Sequence, residues 1–251
     1  TANATAMTID ANENVGIGIA PDSAWSTNRT NLQIETAGIS VHNTYPHSLD
    51  ISANAIQETS GEKQLNTSYK SSKLQQWDGS FYFKTSPAGS ADPSWTTAMF
   101  IDNTGAVTKP SQPAFSAQVS STYSILVSQH QNLPFATEIF DQNADFNTST
   151  YTFTAPVTGK YQLNLVSRVD NMASNATYYH LYLFTSNRTY FDIIDPRGFD
   201  QDPAYLGLTV AALADMDAGD TATAKFYQSG GTSQSSIASA GDSSFSGFLA
   251  C

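Results

Sequence analysis

Apolar and polar residues alternate with period two along most of this chain, and the pattern becomes denser after about residue 110. In the first part Leu32 and Ile34, then Ile39 and Val41, read as short strand pieces. Leu49, Ile51, Ala53 and Ala55 alternate with Asp50, Ser52 and Asn54, and Phe81 and Phe83 flank Tyr82 after an Asp78-Gly79 turn. No apolar stripe of period 3.6 extends over a usual helix length, so the pattern predicts an all-β chain. Residues 106–114 carry Pro110 and Pro113 and read as a linker. Beyond it strands are predicted over 114–119, 123–127, 136–140, 150–155, 160–169, 178–185, 189–194, 205–213, 221–228 and 244–250. Their spacing, with polar turns between, is that of a two-sheet antiparallel sandwich. The division is therefore a β-rich domain over 1–110 and a sandwich over 111–251.

Two segments of the second part carry most of this. Residues 151–161 alternate into a Pro156–Gly159 turn and leave it as a second strand opening on Tyr161. The chain closes on Ser244-Phe245-Ser246-Gly247-Phe248-Leu249, an aromatic strand where most chains fray. A terminal strand this apolar must be buried in a sheet or against another subunit. The first part holds a repeat: Thr5-Ala6-Met7-Thr8-Ile9-Asp10 recurs as Thr97-Ala98-Met99-Phe100-Ile101-Asp102, each followed by a turn, a valine (Val15 or Val107) and later a proline. The repeat suggests a piece of a longer array of such units. A start at Thr1 rather than Met points the same way, to a fragment or a processed product.

Composition narrows the partners. Of 251 residues only 13% are charged, and the net charge is −11. A chain this acidic, with scattered Lys and Arg, has no electrostatic footprint for nucleic acid and is repelled by an anionic membrane. No apolar run is long enough to span a bilayer, and no segment reads as a signal peptide. The single cysteine, Cys251, excludes an internal disulfide and leaves a free thiol or a bridge between copies.

The candidate chemistry is sparse. Asp192, Asp195, Asp200 and Asp202 lie close together among Gly and Pro, the hard oxygens that Ca²⁺ takes, with Asp215, Asp217 and Asp220 a second set. The competing reading is that these aspartates begin turns and solvate loops. His42, His47, His130 and His180 show no mutual metal-ligand spacing, and His180 reads as a packed strand residue. Nucleophile elbows, Cys-His pairs, phosphate loops and His-Glu-x-x-His motifs are absent. Paired glycosidase carboxylates need not be close in sequence, but none stands out. The sequence reads as non-enzymatic.

Five motifs in order give a resemblance. Pro113-Ala-Phe-Ser-Ala117, Phe140-Asp141, residues 151–161, Leu213 through Ala218-Gly219-Asp220, and Phe245-Ser-Gly247-Phe248-Leu249 resemble the C1q-like domain, the jelly roll shared with the tumour-necrosis-factor superfamily. Residues 1–110 resemble repeat segments of bacteriophage tail fibres. The carriers are Ala6 to Asp10 running on through Asn14-Val-Gly-Ile-Gly-Ile-Ala-Pro21, Ile51 to Ala55, and Phe81 to Gly89; the second repeat departs after Val107. The resemblance implies a homotrimer, with Tyr161, Phe226, Phe245 and Phe248 at or near its interface or else in one protomer's core. It raises calcium as the one candidate cofactor. It implies a virion receptor-binding protein, extracellular, the distal part of a tail fibre or spike, whose trimeric head binds a host surface glycan or outer-membrane protein. Loops 170–178, 195–205 and 229–243 are then the candidate contacts, with Arg197, Phe199 and Tyr205 placed for stacking and hydrogen bonding to a sugar. A trimerisation module of a fibre and a secreted C1q-like lectin remain open beside it.

Overall fold

The computed structural model describes residues 6–45, 47–232, 234–238 and 240–251. Among them there is no α-helix; one 3-10 turn, Pro196–Gly198, interrupts an otherwise all-β chain. The chain divides into two compact units, Thr1–Ser111 and Gln112–Cys251.

The first unit has eleven strands: β1 (Met7–Ile9), β2 (Val15–Ile17), β3 (Arg29–Ile34), β4 (Ala37–His42), β5 (Ser48–Ala53), β6 (Ala55–Glu58), β7 (Gly61–Gln64), β8 (Ser71–Trp77), β9 (Ser80–Ser86), β10 (Thr96–Ile101) and β11 (Val107–Thr108). Nine form one sheet in the order β1-β2-β3-β4-β5-β8-β9-β10-β11, while β6 and β7 pair as a separate ribbon. The alternation through Leu49 to Ala55 predicts one run; the structure breaks it at Asn54, whose φ of 58° turns the chain out of the sheet. Asn54 holds that turn, its amide donating to the carbonyls of Asn66 and Tyr69 at 2.8 and 3.0 Å. The two repeat copies form the hairpins at opposite ends of the sheet, β1–β2 and β10–β11, with Ile9 opposite Val15 and Ile101 opposite Val107. In each the aspartate after the isoleucine builds the turn. Asp10 accepts from the backbone of Asn12 and Asn14 at 2.9 Å, and Asp102 accepts from Thr104 and Ala106 at 2.8 and 2.9 Å.

The two faces of this sheet are inverted in polarity. On the covered face Arg29 pairs with Asp50 at 2.8 Å, with side chains only 9% and 7% exposed. Lys73 pairs there with Glu62, which also accepts from the Trp95 indole. Gln33 is buried and takes the Trp25 indole N–H at 3.0 Å and the Asp22 amide at 2.8 Å. The buried Trp25 ring lies over Gly38, where a Cβ would come within 2.8 Å of it, so only glycine fits there. Burying such groups is tolerable only because each has partners. On the open face Val15, Leu32, Ile39, Ile51, Leu74 and Phe83 stand in one cross-strand row from β2 to β9. Two further rows lie beside it: Val41, Leu49 and Phe81 in one, Met7, Ile17 and Ile34 in the other. Many of these side chains are exposed to water.

The second unit has thirteen strands: β12 (Ala114–Val119), β13 (Tyr123–Ser124), β14 (Gln131–Asn132), β15 (Thr137–Asp141), β16 (Phe146–Asn147), β17 (Thr152–Thr154), β18 (Gly159–Asp170), β19 (Tyr178–Thr185), β20 (Thr189–Ile194), β21 (Tyr205–Met216), β22 (Thr221–Ser229), β23 (Ser236–Ile237) and β24 (Ala240–Leu249). They form two sheets. The larger runs β13-β23-β18-β24-β12-β15, with β21 on the far side of β18; the smaller runs β16-β17-β22-β19-β20, with β14 on β22. This two-layer arrangement is a jelly roll, its apolar core between the sheets.

Residues 151–161 cross between the layers. Strand β17 belongs to the smaller sheet and β18 to the larger, and the Pro156–Gly159 turn carries the chain across. Phe153 and Tyr161 thus meet from opposite sheets with ring centroids 5.4 Å apart. The terminal strand β24 lies between β12 and β18, hydrogen-bonded on both sides. Its Phe245 meets Phe115 edge-on at 5.0 Å, and Phe115 stacks on Phe146 and Phe153 at 4.9 and 4.7 Å. Gly247 faces the same core, where a Cβ would stand 2.5 Å from Leu163 and 2.9 Å from Phe115.

Candidate ligand surface of the C-terminal unit

Alternation in a two-layer sandwich sends every second side chain outward. On β19 the inward set is Tyr179, Leu181 and Leu183, and the outward set is Tyr178, His180, Tyr182 and Phe184. The neighbouring strands place outward partners beside them. His180 stands opposite Ile193 and Tyr227, and Tyr182 opposite Phe191 and Lys225. The result is a continuous ring surface on the outside of the smaller sheet. His130 stacks on Tyr227 at 4.5 Å and meets Tyr182 at 5.3 Å; His180 stacks on Phe191 at 5.2 Å; Tyr182 meets Phe184 at 5.3 Å. The Lys225 ammonium sits 4.5 Å over the Phe184 ring.

Few polar atoms interrupt this surface, and they are specific. His180 Nδ1 shares a hydrogen bond with the Tyr182 hydroxyl, and its Nε2 is buried with no partner. Burial among the rings, and then the charge of His130, holds the His180 imidazole below its ordinary pKa, so it is neutral at physiological pH. Tyr182 is pushed up by burial and by the neighbouring phenols Tyr178 and Tyr227. Phe191 is 56% exposed and Ile193 half exposed, so the edge at β20 is open. The arrangement offers flat aromatic faces on a rigid sheet, bordered by a cation and by phenol and imidazole groups. It can stack against a planar or ring-shaped apolar face and hydrogen-bond at its rim. The readable signal was the alternation Tyr178, His180, Tyr182, Phe184; its partners Phe191 and Tyr227 come from other strands and need the register, and His130 comes from the segment just before β14.

The residues expected to contact a sugar lie elsewhere, at one end of the sandwich. Arg197 is committed to Asp195 through two hydrogen bonds of 2.8 and 2.6 Å. Phe199 and Tyr205 are exposed, Tyr205 at 69%. Tyr205 lies 5.9 Å under the Arg168 guanidinium, which itself pairs with Asp170 and Asp242 at 2.8 and 2.6 Å. The three polar loops around them are knitted together. Ser174 donates twice to Asp202, at 2.7 and 2.6 Å, Asn175 and Thr232 exchange side-chain and backbone bonds, and Met172 N–H donates to the Pro203 carbonyl at 3.1 Å.

The calcium expectation is corrected by the same geometry. Asp192 accepts from the Thr209 amide at 3.1 Å, Asp195 caps the 3-10 turn and binds Arg197, and Asp202 clamps Ser174. The Arg197 partner holds the Asp195 carboxyl down at about 2. Closeness in sequence does not converge in space: among the described residues, Asp200 included, no group of three or more His, Cys, Asp or Glu is placed to hold a metal.

The interface expectation divides. Tyr161, Phe226 and Phe245 are fully buried inside their own protomer and have no surface to give a neighbour, which corrects that assignment in favour of the core. Alternation is the reason: all three occupy inward positions of β18, β22 and β24. Phe248 is outward and 48% exposed. It faces Gln162, whose other cross-strand partner is Leu213, 58% exposed, so an outward apolar pair marks the larger sheet.

Among the described residues no helix is long and apolar enough to cross a membrane. A search of curated proteins returns no match. Among solved structures the chain is similar to the globular domain of zebrafish complement 1qA protein, at 21% identity and a TM-score of 0.41, covering 56% of this chain and 98% of that one. It is also similar to murine APRIL, at 12% identity and a TM-score of 0.41 over 55% and 98% of the two chains. A third is Eiger TNF from S. frugiperda, at 11% and 0.38 over 56% and 92%. Residues 114–250 match the family model described as the C1q domain, which is more than half of the chain. The jelly roll, the five ordered motifs and this match together make the chain a member of the C1q domain family.

Proposed function

We propose that this chain is a homotrimeric receptor-binding protein, the distal part of a bacteriophage tail fibre or spike, and that its C1q-like head holds a host cell-surface glycan. C1q and TNF domains are generally trimeric, ligand-binding and non-enzymatic, and usually extracellular. The observation that carries the reading is the aromatic surface of Tyr182, Phe191, His130 and Tyr227 on the smaller sheet. Sugar rings present apolar C–H faces that stack on aromatic faces, and their hydroxyls bond to phenol, imidazole and ammonium groups at the rim. A rigid sheet needs no ordering on binding, and three copies give avidity to weak individual sites. The resemblance of residues 1–110 to tail-fibre repeats supports the virion setting, with an outer-membrane protein as the other class of receptor.

The test is adsorption of the purified chain to host cells together with a glycan array. Binding that falls at least about tenfold in Tyr182→Ala and Phe191→Ala, while Arg197→Ala and Tyr205→Ala change it less, supports the site. A chain that neither binds host cells nor competes with phage refutes the function; unchanged binding in the first pair moves the site to the end loops.

A further inference from the structure

The sheet of the first unit buries its polar face and leaves its apolar face open. From this we infer that the open face is an interface between copies of this chain, closed where the same faces of the three protomers meet about the trimer axis. The rows around Val15, Leu32, Ile39, Ile51, Leu74 and Phe83 contain no charged residue. An interface with a separately folded partner keeps charges at its rim for solubility and steering; a permanent interface between identical chains is the apolar kind.

The size fits. Nine strands about 4.8 Å apart and three rows about 6.8 Å apart make a face of roughly 700–800 Å². A standard stable interface uses about 800 Å² on each partner. The polar filling of the other face rules out closure by turning the sheet over: Arg29, Asp50 and Lys73 are already partnered beneath Trp25, β6 and β7. The occupants are other copies because residues 109–113 lead from this sheet into a domain of a trimeric family. Trimeric heads would hold their sheets at millimolar effective concentration. In that respect the inference rests on the homotrimer proposed above.

The test uses the full chain with Cys251→Ser, which removes the one exposed thiol. Single cysteines are introduced as Ile51→Cys or Phe83→Cys on the open face, and as Ser90→Cys on an exposed loop for reference. Maleimide labelling rates and sedimentation are measured on the same samples. A trimer in which the Ile51→Cys and Phe83→Cys thiols react at least about tenfold more slowly than the Ser90→Cys thiol supports the inference. A trimer in which all three react alike overturns it and leaves the homotrimer standing. A freely labelled monomer overturns both. Ile39→Asp, beside Ile51 in the same row, is expected to restore fast labelling of the Ile51→Cys thiol. If that chain is folded by circular dichroism and still protected, the protection has another source and the inference fails.

Discussion

The two units solve opposite problems with the same alternation. The C-terminal unit closes two sheets on each other, so Phe115, Phe153, Tyr161 and Phe245 disappear between layers and the outward positions of β18, Val166 apart, are polar. The N-terminal unit has one sheet, and a loop and a ribbon too small to form a second layer cover its polar side. The head is therefore complete as a monomer in its interior, while the first unit is not. The difference teaches that period-two alternation separates two faces without saying which one water sees.

The largest effects should follow from breaking each interior in its own currency. Phe245→Ala removes a ring packed against Phe115, Phe135 and Phe146, and should cost about 3–5 kcal/mol in denaturant unfolding of the head. Ile51→Ala removes a side chain that a lone protomer leaves 41% exposed; it should cost under about 1 kcal/mol in a monomer and about 2 or more where the face is covered. In the polar interior, Arg29→Met strands Asp50, whose second oxygen already lacks a partner. It should cost roughly 3–5 kcal/mol, and Arg29→Met/Asp50→Leu should recover most of it, because a buried pair replaced whole is often neutral. A double variant no more stable than the single would show that the covered face needs the charges themselves.

A smaller effect sharpens the contrast between inward and outward positions of one sheet. Gly247→Ala forces a methyl against Leu163 and Phe115, and should destabilise the head by about 1–3 kcal/mol. Gly207→Ala, on the outward side of β21 with open space where the Cβ would go, should stay within about 0.5 kcal/mol. Equal losses would mean that backbone conformation, not the core, selects glycine in these strands.

Much of the architecture was legible locally and much of the surface was not. The predicted strands 178–185 and 189–194 coincide with β19 and β20, because alternation and turn residues are properties of neighbours in sequence. The predicted strand 123–127 shrinks to Tyr123–Ser124, since Ile125 turns into the core. The aspartates between 192 and 202 looked like a cluster, but the strand, the 3-10 turn and the loop that carry them aim Asp192, Asp195 and Asp202 at three different partners. The apolar row from Val15 to Phe83 and the ring surface around His180 depend on cross-strand register, which no single segment contains. Fully inward aromatics such as Tyr161 and Phe226 share a residue type with interface aromatics, so only the layer geometry separates them.

The smallest expected effect asks whether the head's outer ring surface is packed like an interior. His180 has its pKa lowered from 6.5, first by burial and then by the charge of His130. The unfolded chain therefore binds this proton more readily than the folded one. Stability from the neutral ring is fully present above about pH 6.5 and is lost as pH falls from there toward the lower folded value. His180→Gln removes the titration while keeping a polar group beside the Tyr182 hydroxyl. Between pH 7.5 and 5 the melting temperature of the wild-type head should fall more steeply than that of His180→Gln. His130→Gln should lessen the slope only in part, because it takes away the second cause of the shift and leaves the first. Parallel curves for all three chains would mean that the rings around His180 open to water readily, and a surface that loose would be a poor platform for stacking a ligand.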